Sequence, residues 1–156
     1  EHFTPIRRGM TAEQTCKACL LIPDAIEIDQ LPHALFSKWM DDEQPPVALA
    51  KWLWTSQALV ALRLGQPDTA IDFINKSEEQ SPTDVNKALN RAIRALAQHH
   101  VGEFEKAHDD VRQATEILNR MEDARYNFDV LIARILLREA VALVDDDSKA
   151  PESPVP

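Results

Sequence analysis

Glycine is scarce in this chain, with three among 156 residues. There is no Asn-Gly or Asp-Gly pair and no sustained alternation of apolar and polar residues, so β-hairpins lack both their turns and their strands. Cysteine is limited to Cys16 and Cys19. A structural zinc needs four ligands, and no second Cys or His pair stands at suitable spacing. A redox Cys-x-x-C would sit beside a βαβ pattern, which is missing. The simpler expectation is Cys19 facing a core as a small hydrophobe, with Cys16 incidental. Basic charge is also short: 17 Lys and Arg against 26 Asp and Glu leave a net −9. That balance argues against a nucleic-acid partner, whose phosphates need clustered cations. No apolar run approaches the roughly 18–20 residues that span a bilayer, and the N-terminus lacks a signal-peptide layout. No membrane insertion and a cytoplasmic setting are therefore expected of this segment. The chain opens on Glu1 rather than Met and is read as part, or a processed form, of a longer protein.

What remains is helical in character. Apolar residues make up 44 % and charged residues 28 %, an ordinary soluble composition, rich in Ala, Leu, Glu, Gln and Arg. Thr11 is placed to cap a helix to about Leu21, and Asp29 to open one to about Met40. Pro45 and Pro46 suit the first turn of a helix that ends at Gly65. Pro67 starts another, towards Glu79. Ser81-Pro82-Thr83-Asp84 reads as loop and cap before a helix ending near Val101-Gly102. Two more follow, Glu103 to about Met121 and about Asn127 to Val144. The expected class is all-α, with short connections making consecutive helices antiparallel neighbours. Residues 1–10 read as an extension, 11–145 as the helical domain, and 146–156 as an acidic, proline-rich disordered tail.

One repeat is legible, with a period of 37 residues. Ala58, Leu59, Gly65, Ala70, Asp72 and Glu79 recur as Ala95, Leu96, Gly102, Ala107, Asp109 and Glu116. Small residues let two antiparallel helices approach, and the glycine permits the turn between them. With Trp54 four residues before Ala58, and Pro82 twelve after Ala70, these sections resemble the tetratricopeptide family. The second unit departs from it, with Arg91 in place of the tryptophan and Asn119 in place of the proline. The resemblance implies hairpins stacked as a short right-handed solenoid with a C-terminal capping helix. A narrower likeness rests on T-C-K-A-C-L-L-I-P-D (Thr15 to Asp24), A-K-W-L-W (Ala50 to Trp54), V-G-E-F-E-K-A (Val101 to Ala107) and the last helix, Asp129 to Ala140. These are similar to the C-terminal repeat region of planctomycete-type bacterial serine/threonine protein kinases, which implies a regulatory or scaffold role. The kinase domain's glycine-rich loop, H-R-D and D-F-G are not in this chain.

Chemistry finds little purchase. His99, His100 and His108 could meet near the Gly102 turn, but zinc would need further protein ligands. Carboxylate runs such as Asp41-Asp42-Glu43 and Asp109-Asp110 read as solvated charge, and no serine lies in G-x-S-x-G. No catalytic residue, metal or cofactor is expected. By the tetratricopeptide resemblance, first helices would line a concave groove, here Trp52, Thr55, Leu59, Leu62, Arg63, Leu89, Ala92, Leu96, His99 and His100. That groove would take a protein or peptide segment with apolar side chains, helped by Arg63 and Arg91. Trp52, out of phase with Trp54, either packs on the preceding hairpin or faces the groove. The alternative role is structural: the apolar terminal helix packing on the parent protein or on a second copy as a homodimer. With no four-ligand set in the sequence, a chelator such as EDTA should leave the melting temperature unchanged. A fall of several degrees in a thermal melt would reveal a metal.

Overall fold

The computed structural model describes residues 5–23, 27, 31, 47–121 and 127–147, with side chains from Ala12 in the first helix, from Leu49 in the second and to Asp146 in the last. Among these residues the protein is all-helical: α1 (Pro5–Cys19), α2 (Val47–Arg63), α3 (Pro67–Glu78), α4 (Asp84–His100), α5 (Phe104–Asn119) and α6 (Phe128–Asp147). The expected Asp29–Met40 helix, Pro45, Pro46 and residues 148–156 lie outside the described residues. Thr11 does not cap α1 but sits within it, because the helix already starts at Pro5, whose fixed φ suits a first turn. At the other end α6 continues past Val144 to Asp147. Its start is capped by Asn127, whose Oδ1 accepts the Asp129 and Val130 amides at 2.9 and 3.3 Å.

The α2–α3 and α4–α5 connections are built alike. Gly65 and Gly102 take φ of +70° and +80°, the left-handed region that side chains other than glycine's resist. Around each, the hydrogen bonds are those of a Schellman turn: Gly65 N–H to Leu62 C=O and Gln66 N–H to Ala61 C=O, then Gly102 N–H to His99 C=O and Glu103 N–H to Gln98 C=O. The spent helix carbonyls are thus satisfied, and the chain reverses into a helix carrying a buried alanine, Ala70 or Ala107.

Residues 37 apart share their burial: Ala58 with Ala95, Leu59 with Leu96 and Ala70 with Ala107 are buried, and Asp72 with Asp109 and Glu79 with Glu116 are exposed. Two of the differences between the hairpins come in pairs. Trp54 stacks on Phe73 with ring centroids 5.6 Å apart. The corresponding residues of the second hairpin, Arg91 and Asp110, form an ion pair at 2.6 Å. Likewise Thr55 meets Ser77 at 3.0 Å, while their counterparts Ala92 and Ala114 are both wholly buried. In these two cases a change on one helix is matched by a change on its neighbour.

Helix α4 lies at the centre, packed by α2, α3, α5 and α6, while α1 lies against α2. The core joins Leu53, Leu59, Ile74, Leu89, Ile93, Leu96, Leu118, Ile132 and Leu136. Inside it Thr55, Ser77, Asn86 and Asn90 are fully buried and bonded to one another.

Ala107 is wholly buried where α5 meets α4, whereas neighbouring Lys106 is exposed. Ala107→Leu should therefore overpack and destabilise by about 1–3 kcal/mol, and Lys106→Leu should leave the urea midpoint nearly unchanged. At Gly102 an added Cβ meets nothing within 4 Å, so Gly102→Ala should cost about 1–2 kcal/mol through φ alone.

Candidate interaction site

The apolar stripe expected to line an open groove is in the core instead. Thr55, Leu59, Leu62, Leu89, Ala92 and Leu96 are all buried. On α4, four packed helices leave that stripe no open side, and on α2 it is covered by α1, α3 and α4. Arg63 and Arg91 do not offer free positive charge. Arg63 holds Glu139 of α6 with two bonds of 2.6 and 2.7 Å and donates Nε–H to the Leu20 carbonyl at 2.9 Å. Arg91 and Arg94 both close on buried Asp110, and Arg94 also reaches Glu78 at 3.1 Å. That pairing raises the Arg94 pKa and holds its guanidinium protonated. Trp52 is half-buried, packed beside α1 with the Lys17 ammonium 5.1 Å from its ring centre. Of the expected set only His100 is exposed, and half-buried His99 packs edge-on to Phe104 at 5.4 Å.

One charged cluster was not legible in the sequence. Lys17 is 2 % exposed and pairs with Glu13 at 2.6 Å, one turn earlier on α1, and with Asp129 of α6 at 2.5 Å. Ser56 of α2 donates to Glu13 at 2.7 Å. The spacing of Glu13 and Lys17 signals a helix pair, but nothing in the sequence joins them to Asp129. Burial raises the Glu13 carboxyl above its ordinary value while Lys17 pulls the other way. Folding thus tightens proton binding at Glu13, and this residue's contribution to stability falls as pH rises through the carboxylate range. Ala12, Cys16 and Leu20 complete the buried face of α1. Two of these are short, so at about 0.8 kcal/mol per buried CH₂ the apolar hold on α1 is modest. A cleft of about 110 Å³ stays open beside it, between Gln14, Lys17, Leu49, Trp52, Leu53 and Asp129.

A second surface lies on α6. Val130, Ile132, Ala133, Leu136, Ala140 and Val144 point inward, while Phe128, Leu131 and Ile135 are each more than two-fifths exposed. Those three fall three and four residues apart and form one outward row. Beside them is a groove of about 310 Å³ between α5 and α6, walled by Leu118, Leu137 and Val141 and edged by Arg134 and Arg138. Arg134 also donates to the Leu118 carbonyl at 3.1 Å.

Among the described residues no three His, Cys, Asp or Glu side chains converge as metal ligands, and no helix is long and apolar enough to cross a membrane. In comparisons with family models, curated proteins and solved structures, nothing matches the chain significantly.

Cys19 packs partly buried against the core, as expected, but Cys16 is not incidental: it is wholly buried. The three-residue spacing put them near one face, and the contact of α1 with α2 decided which is covered more completely. Burial, with Cys19 and Glu13 adding to it, pushes the Cys16 thiol up to about 12. Iodoacetamide at pH 8 should therefore label Cys19 well ahead of Cys16, read by peptide mass spectrometry. Equal labelling would place Cys16 at the surface.

Proposed function

We propose that this chain is a tetratricopeptide-like helical-repeat module that holds another protein, with no chemistry of its own. Its resemblance to the C-terminal region of bacterial serine/threonine kinases makes a regulatory or scaffold role beside such a kinase the natural setting. The contact surface is the outer face of α6 together with the arginine-edged groove, in place of the filled groove between first helices. The occupant is an amphipathic helix with an apolar seam and an acidic flank.

One observation carries this reading. In each hairpin the first helix is covered by its second, α2 by α3 and α4 by α5. Among the described residues no such helix covers Phe128, Leu131 and Ile135, which stay exposed in a row. A helical row of that kind is the seam an amphipathic helix seeks. Arg134 and Arg138 along its edge favour carboxylates on the incoming helix. The alternative role, a second copy pairing through α6, uses the same row but sets like arginines near each other.

A designed helical peptide with a leucine seam and glutamates on one flank should bind the chain, and its lysine-flanked counterpart should bind at least about tenfold more weakly. Leu131→Glu with Ile135→Glu should abolish binding while shifting stability by only about 1 kcal/mol per site, because both side chains are already partly exposed. Binding that survives this double change would sink the reading. A tight dimer in light scattering, lost in the same variant, would favour the structural role.

A further inference from the structure

We propose that the seat of α1, formed by α2 and the start of α6, is a second helix-binding site. The chain's own α1 fills it until an amphipathic helix of a partner protein takes its place. The seat already holds a helix, which shows what it accepts. Ala12, Cys16 and Leu20 supply a small apolar row at four-residue spacing, and Glu13 and Lys17 supply an acid and a cation one turn apart. The seat answers each group. Ser56 donates to the acid, Asp129 and the Trp52 ring receive the ammonium, and Arg63 takes the carbonyl where the helix ends.

Two features make α1 replaceable. Its fit is incomplete, because a cleft of about 110 Å³ lined by Leu49, Trp52 and the edge of buried Leu53 stays unfilled beside Gln14 and Lys17. The remaining helices are also held without it. The Thr55–Ser77–Asn86–Asn90 cluster and the Arg91–Asp110–Arg94 cluster contain no residue of α1. A competing helix would keep the acid and lysine four residues apart and the small apolar row. It would carry a large apolar side chain where α1 has Gln14, so that the cleft is filled. Residues 20–46 lie between α1 and α2 in the sequence, and it is short, strained hinges that invite exchange of an element between copies. The partner is therefore a different protein. Nothing in the seat involves the outer row of α6, so failure here leaves the reading above standing.

The unaltered full chain reports displacement through Cys16, which α1 carries on its inward face and which is wholly buried while α1 is seated. The probe is a synthetic peptide of residues 5–20 carrying Gln14→Leu, with Cys16→Ala and Cys19→Ala so that it consumes no reagent. A tethered α1 competes at an effective concentration of about a millimolar, so the peptide is titrated into that range. Iodoacetamide labelling of Cys16 in the chain should accelerate saturably, by about tenfold or more. The same peptide with Lys17→Glu should have no such effect, since it would set a carboxylate against Asp129. An unchanged Cys16 rate overturns the proposal, whether or not the peptide binds elsewhere, and so does equal acceleration by the charge-reversed peptide.

Discussion

Four buried polar side chains fix where α4 sits, and most of the other packing follows from that placement. Thr55 donates to Asn90 Oδ1 at 2.6 Å, with the Lys51 carbonyl also within reach at 2.8 Å, and accepts from Asn86 Nδ2 at 2.9 Å. Ser77 donates to the Lys51 carbonyl at 2.9 Å and accepts from Asn90 Nδ2 at 3.0 Å. Each group is satisfied only while α2, α3 and α4 keep one register. A slip would orphan buried amides at about 1–3 kcal/mol each, which a uniform leucine interface would not demand. Because α5 and α6 pack on α4 in turn, this small network orients helices it never touches. The second hairpin meets the same crossing with Ala92 and Ala114, where simple close packing is enough.

Charge closes the structure from the other side. Arg63 and Lys17 reach α6 through Glu139 and Asp129, tying the start of the described chain to its last helix. Part-buried ion pairs like these gain little net stability, since desolvation of the cation offsets most of the attraction, but a broken one leaves a stranded charge. Their effect is to select one arrangement of α1, α2 and α6. They also engage cations that the residue pattern alone would assign to a partner. What the protein can still offer is limited to surfaces its own chain leaves incomplete: the outer row of α6 and the imperfectly filled seat under α1.

The hairpins were legible because their signals are local. Gly65 and Gly102 mark left-handed turns, Pro67 and Asn127 mark helix starts, and Ala70 and Ala107 mark close approach, all within a few residues of the feature they specify. The paired replacements, Trp54–Phe73 by Arg91–Asp110 and Thr55–Ser77 by Ala92–Ala114, were also written in the sequence at the same period. They acquire meaning only when Trp54 is seen to stack on Phe73, Arg91 to pair with Asp110 and Thr55 to meet Ser77.

The sequence by itself determined which residues share a helix face and where each helix turns back, since those depend on a period of 3.6 residues and on backbone sterics. Tertiary structure alone decided what lies opposite each face. Leu59, Leu89 and Leu96 are spaced equally well for a groove or a core, and they are core because α4 is surrounded. Cys16 is covered more completely than Cys19 because α1 leans on α2. Phe128, Leu131 and Ile135 are as apolar as their inward neighbours, yet stay partly exposed because no described helix packs on that side. Periodicity gives a direction around one helix, whereas burial depends on segments far away in the chain, and no local spacing carries that information.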